Sequence, residues 1–234
     1  MCRLKLFRGL STPMPPPALL LLLVPSVAAL GVSPASAASE LKQRLGDSFR
    51  DNAEPDRARV DELVSTLVGE KDRPFDASVL GGGLWAAVHT SGPVPRWEKY
   101  SRLLPKLRNV RGQQYTPTGD GVGEVLNYGE IAGPALYFSA TGTFRENDAG
   151  AAHFPKDFDV DVESGGLTVL GLRVPLPISG AGFLRLEWAD ESMRIVSSPR
   201  ASPDNWEESG LVVVQMRVSE LEPEWQPGWL MELE

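Results

Sequence analysis

The sequence predicts an all-β domain, an antiparallel barrel of about eight short strands preceded by an N-terminal helix. Three observations lead there. From Phe75 onward apolar residues recur with a period of two; the segments so patterned are short; and Gly, Pro, Asn and Asp fill the gaps between them. The strands read from this pattern are Gly83–Thr90, Glu124–Tyr128, Ala135–Arg145, Phe154–Glu163, Leu167–Val174, Gly182–Trp188, Ser192–Ser197 and Leu211–Val218. The clearest is Asp157-Phe158-Asp159-Val160-Asp161-Val162-Glu163, whose strict alternation gives one acidic and one apolar face. Leu184, Leu186 and Trp188 share a face by the same period, as do Val212, Val214, Met216 and Val218. An eight-stranded closed barrel has an interior just wide enough to be filled by side chains or to hold one small ligand, and the pattern leaves both outcomes open.

Ahead of the strands, residues 40–70 read as helical. Val60, Leu63, Val64 and Leu67 fall at i, i+3, i+4 and i+7, one apolar face. Pro55 stands where a first turn tolerates proline, Gly69 offers a left-handed stop, and Asn52-Ala53-Glu54-Pro55 breaks any helix begun near Leu41.

Residues 1–39 read as a cleavable targeting segment rather than part of the fold. Arg3, Lys5 and Arg8 open it without an acid; Pro13, Pro15, Pro16 and Pro17 follow, then the apolar run Ala18–Val24, then Ala35-Ser36-Ala37-Ala38. Ala18–Val32 is interrupted by Pro25 and is shorter than the ~20 residues needed to cross a bilayer. The segment holds three of the 23 Lys+Arg and none of the 31 Asp+Glu, so the rest carries 20 basic and 31 acidic side chains, a net charge of −11. Such a chain is a poor partner for nucleic acid, whose phosphates call for basic stripes. The expected organisation is a targeting segment over 1–39, a helical segment over 40–74, the barrel over 75–220 and a Pro/Trp-rich tail over 221–234.

Catalytic patterns are missing. The single cysteine, Cys2, lies in the targeting segment, which removes thiolate chemistry and disulfides from the remainder. His89 and His153 are the only histidines, too few for a three-histidine zinc site. No Gly-x-Ser-x-Gly elbow or Walker phosphate loop occurs. Gly119-Asp120-Gly121-Val122-Gly123 reads as a hairpin turn, and the acids Asp157, Asp159, Asp161 and Glu163 as a solvated strand face instead of a calcium loop. No Asn-x-Ser/Thr site is present, so an organelle suits the chain better than the cell exterior.

Gly83-Leu84-Trp85, opening the first strand, resembles the Gly-x-Trp of lipocalin-like barrels. Phe75 to Thr90 resembles the segment that begins the domain of plastid lipid-associated proteins, the plastid fibrillins. Gly182 to Ile195 resembles that family's later motif of a glycine, an aromatic-bearing strand, an acidic turn, then a basic residue and isoleucine; Leu172 to Pro177 and Leu211 to Val214 also fit. The resemblance covers about residues 55–218. It implies a lipocalin-like barrel in a plastid, on thylakoid membranes or plastoglobules with the lumen possible, that binds or carries lipids, carotenoids or quinones without a cofactor. Asp190 and Arg194 match the family's charged pair and read as a turn-locking ion pair.

The expected function is non-enzymatic binding of an apolar metabolite or lipid, with Trp85, Phe138, Leu184, Leu186 and Trp188 as inward residues of the pocket. A structural coat of lipid particles without an internal ligand is the alternative. It is drawn from Arg96, Lys99, Arg102, Lys106, Arg108 and Arg111, interleaved with Trp97 and other apolar residues as for a surface resting on anionic headgroups. A lipocalin-type enzyme acting on a pigment or quinone is a third reading.

Overall fold

The structure, a computed structural model, describes residues 32–70, 72–93, 110–119, 121–148, 152–201 and 209–221. Two helices come first. In α1 (Pro34–Asp51) the side chain of Ser33 caps the N-terminus by accepting the Ser36 N–H, and Ala37, Ala38, Leu41 and Leu45 form the buried stripe. Asn52 ends it in the left-handed region, at φ 50°. Asp56 caps α2 (Arg57–Val68), which buries Val60, Leu63 and Leu67 on the expected face. Pro55 thus precedes the cap instead of lying in the first turn, and Gly69 ends α2 in the right-handed region, at φ −73°. The Arg59 guanidinium forks onto the Glu40 carboxylate (2.9 and 2.6 Å) and ties the two helices together.

Nine strands follow: β1 (Leu84–Ser91), β2 (Arg111–Gly119), β3 (Val122–Glu130), β4 (Leu136–Glu146), β5 (Lys156–Val169), β6 (Leu172–Leu176), β7 (Gly180–Ala189), β8 (Met193–Ser197) and β9 (Val212–Arg217). Each pairs antiparallel with its neighbours in the order β4-β3-β2-β1-β9-β8-β7-β5, and β4 pairs back onto β5. Eight strands therefore close on themselves, and the fold is a lipocalin-like antiparallel barrel. β6 stands outside the ring, paired only to the distal half of β5, while β7 takes the proximal half.

Two strand assignments differ from the sequence reading. β2 is absent from that reading, because Arg-Gly-Gln-Gln-Tyr-Thr-Pro-Thr-Gly has no apolar alternation and sets its Tyr and Thr among Gly, Gln and Pro; pairing on both edges holds it in place. Leu167–Val174 is not one strand but a hairpin, turning at Leu170 (φ 50°) and Gly171 (φ 81°). The Gly119–Gly123 stretch is the expected hairpin, with Gly119 paired to Val122 and Gly121 at φ 68°.

Strand alternation divides the apolar residues into two cores. Inside the barrel lie Tyr115, Val125, Ala140, Phe144, Phe158, Val160, Val162, Leu184, Leu186, Val196 and Val213. Outside, over β1, β8 and β9, the stripes of α1 and α2 cover Leu84, Ala86, Met193, Ile195, Val214 and Met216. The shared face of β9 therefore looks toward the helices, and Val218 belongs to the short helix α3 (Val218–Leu221) beneath them. One end of the barrel is closed by the 3₁₀ turn Ala77–Val79, by Leu80, and by Phe75 packed edge-on to Phe154 (5.6 Å). The opposite end, termed the mouth, is where β1 finishes and β2 begins; residues 94–109, which join them, lie outside the described residues.

Residues 34–39, assigned by sequence to the segment removed, form the first turns of α1, and Ala37 and Ala38 are buried against the barrel. A chain beginning at Val32 should accordingly be more stable than one beginning at Glu40. Loss of the Ser33 cap alone costs about 1 kcal/mol, so urea titration should show a lower midpoint for the shorter chain. Equal midpoints would mean that the first turn of α1 adds nothing.

Candidate functional site

By strand register Thr90, Arg111 and Asn127 also face inward, but most of the polar inward residues gather near the closed end of the barrel. There β1 supplies Trp85, β2 supplies Gln113 and Tyr115, β8 supplies Arg194, and β9 supplies Gln215 and Arg217; the register brings them together, Trp85 opposite Gln113 and Arg217, and Arg194 opposite Gln215. Trp85 is wholly buried and donates its indole N–H to the Leu80 carbonyl (3.4 Å). The Arg217 guanidinium lies 4.2 Å from its ring centroid and donates to the carbonyls of Gly81 (2.8 Å), Gly82 and Glu191. These contacts bind the last strand to the closing segment.

Arg194 is of another kind. It is 0% exposed, its guanidinium 4.6 Å from the Trp85 ring and 4.8 Å from that of Tyr115. Its Nε donates to Gln215 Oε1; Gln215 Nε2 donates to Gln113 Oε1 (3.0 Å), and Gln113 Nε2 to Asn127 Oδ1 (2.8 Å). The amides are all committed to that chain, and Nη1 and Nη2 of Arg194 have no hydrogen-bond partner. Burial, with the positive charge of Arg217 added, pulls the Arg194 pKa down to about 9, which still leaves it a cation at pH 7. Burying an unpaired charge costs several kcal/mol, whereas a cation–π contact returns about 0.5–2 kcal/mol, so the two rings do not offset the loss of water.

Midway along the barrel the inward positions are small, with Ala87, Ala140, Val162, Gly182, Val196 and Val213; nearer the mouth Arg111, Leu167 and Phe138 face inward, Phe138 half-buried with its ring lying over Gly129. Trp85, Leu184, Leu186 and Phe138 thus face inward as the sequence reading has it. Trp188 does not. A register shift between Leu186 and Trp188 turns it outward, where it packs in the outer core, donates its indole N–H to Glu70 (2.9 Å) and lies under the Arg73 guanidinium (4.7 Å).

Asp190 and Arg194 are not an ion pair. Asp190 accepts the N–H groups of Ser192 and Met193 and pairs with Lys42 of α1 at 2.7 Å. Burial would raise its pKa, but the Lys42 ammonium and the two N–H groups outweigh it and hold the carboxyl below the usual range. The turn is therefore locked from outside, and Arg194 is free to serve the interior. Neither Arg194 nor Gln215 stood out as interior residues in the sequence. The available signal was the alternation Val213-Val214-Gln215-Met216-Arg217, which places polar groups on the face opposite the helix-covered one.

Of the basic surface candidates, Arg96, Trp97, Lys99, Arg102, Lys106 and Arg108 lie outside the described residues, and Arg111 is half-buried at the start of β2. His89 points outward to Asp61 at 3.6 Å; burial lowers its pKa, the nearby carboxylate opposing this. On the outer wall a cleft of about 190 Å³ is lined by Asp157, Asp159, Phe183, Arg185 and Arg200, with Arg185 forked onto Asp157 (2.7 and 2.8 Å). Its charges satisfy one another, unlike those of Arg194. Among the described residues no group of three or more His, Cys, Asp or Glu is arranged to hold a metal ion.

No match to this chain exists among protein-family models, curated proteins or solved structures.

Trp188 separates the two walls experimentally. Trp188→Ala should cost about 3–5 kcal/mol of stability by emptying part of the outer core. Measured by thermal melting and ligand titration together, the variant should melt lower while its folded fraction binds as tightly as the parent. Weakened binding in a fully folded variant would put Trp188 back on the pocket.

Proposed function

We propose that the barrel binds and carries an apolar metabolite ending in a carboxylate or comparable anion, without converting it chemically. The head group sits at Nη1 and Nη2 of Arg194, and the tail extends along the small inward residues toward the mouth. The observation that carries this reading is the fully buried guanidinium with two unpartnered nitrogens. A carboxylate fits that fork in a bidentate way and supplies the missing counter-charge where water is excluded. The Gln215–Gln113–Asn127 chain fixes the fork by holding Nε, and Trp85 and Tyr115 flank it with apolar faces.

The resemblance to plastid lipid-associated proteins supports three ligand classes: lipids, carotenoids and quinones. Of these a fatty acid is the one that presents a carboxylate, and we take it as the favoured class. The same resemblance supports a plastid setting at thylakoid or plastoglobule surfaces.

Titration with dodecanoate and dodecanol, followed through tryptophan emission, tests the proposal. A charge-assisted hydrogen bond is worth about 1.5–3 kcal/mol, so dodecanoate should bind the parent at least about tenfold more tightly than dodecanol. Arg194→Met should abolish that preference and leave dodecanol binding unchanged. Equal affinities in the parent, or a preference that survives in the variant, would contradict the reading.

A further inference from the structure

We propose that the β5–β6 hairpin seats this protein on a lipid surface. The apolar residues there are large and unusually exposed: Leu170 is 81% exposed, Leu172 75% and Val174 51%, with Val169, Leu176 and Ile178 between 36% and 39%. Contiguous aliphatic exposure of this kind marks a contact surface. The apex is more telling. A two-residue turn with positive φ at both positions favours Asn-Gly, whose side chains tolerate the left-handed region and solvent. Here the first position is Leu170 at φ 50°, so a strained and exposed leucine stands where a polar residue would be cheaper.

The occupant is a lipid surface and not another strand. Beside a two-residue turn Val169 and Leu172 form a hydrogen-bonded pair, so Leu172, Val174 and Leu176 aim their N–H groups at β5. Positions 173, 175 and 177 face the free edge, and two of these are Pro175 and Pro177, which have no N–H to offer. The edge is thereby blunted against strand addition while its side chains stay apolar. The charges agree. From Ser164 to Leu186 there is no Asp or Glu in a chain of net charge −8, and the basic groups are Arg173 and Arg185. An acid-free apolar tip with a cation behind it suits the boundary between headgroups and acyl chains.

The hairpin also shows where the protein would face. Val169 pairs with Leu136 and Leu167 with Phe138, so the apolar face of β6 continues the inner wall at the mouth. A protein resting on this element turns its mouth toward the lipid. This docking does not depend on an internal ligand.

Flotation of the full chain with vesicles of phosphatidylcholine, alone or mixed with phosphatidylglycerol, tests it. The parent and Val68→Asp, which alters an exposed apolar residue on α2, should float with both vesicles, and more with the anionic ones. The double substitution L170D/L172D should reduce the floating fraction about tenfold while leaving the melting temperature and dodecanoate affinity unchanged. A parent that does not float, or a double variant that floats equally, overturns the proposal. So does a parent dimer in light scattering that the double substitution dissociates, since the face would then bind a second copy.

Discussion

The closed end of the barrel depends on one arrangement, the indole of Trp85 beside two guanidinium groups. Arg217 accounts for closure. Its nitrogens reach the carbonyls of Gly81, Gly82 and Glu191, so the last strand, the segment before the first and the β7–β8 turn are held at one point. Those carbonyls leave Arg217 satisfied. Arg194 occupies the same aromatic wall without such partners, and a fold that needed only a plug could place a leucine there at lower cost. The contrast between two arginines on one tryptophan is that between a satisfied guanidinium and one with two unpartnered nitrogens.

Helix cover on one side gives the barrel two buried faces along β1, β8 and β9. Where both faces are buried, the usual rule of apolar inside and polar outside fails, and the sequence misleads in a definite way. The Val212, Val214 and Met216 face was legible as core, and it is, but it is the outer core beneath α1 and α2. The alternate face of Val213, Gln215 and Arg217, two of whose members are polar, is the interior. Strand positions and hairpin turns were readable from period and glycine, as at Asp157–Glu163 and Gly119–Gly123. The register shift after Leu186 was not, since a bulge leaves no fixed mark in composition. It moved Trp188 to the other wall. Likewise β2 could not be seen, because its pairing on both edges, rather than its own residues, makes it a strand.

The hairpin and the mouth follow from one departure in the topology. β5 is fourteen residues long, more than the ring uses, and β7 leaves it at Val162 paired with Gly180. The remaining length turns back as β6 and carries the inner apolar face beyond the barrel. With the proposed anion site at the closed end and the exposed apolar lip beyond the ring, an amphiphile drawn from a lipid surface would enter tail last, its head advancing toward Arg194.

Pairing of a ligand carboxylate with Arg194 inside the barrel is open to direct measurement by carbon-13 NMR of dodecanoate labelled at the carboxyl carbon. A separate bound resonance should appear and stay ionised as the pH falls through the ordinary carboxylate range of about 4–5, because the buried cation favours the charged form; Arg194→Met should restore ordinary titration. A bound resonance that titrates like the free acid in the parent, or the absence of any bound resonance, would contradict it.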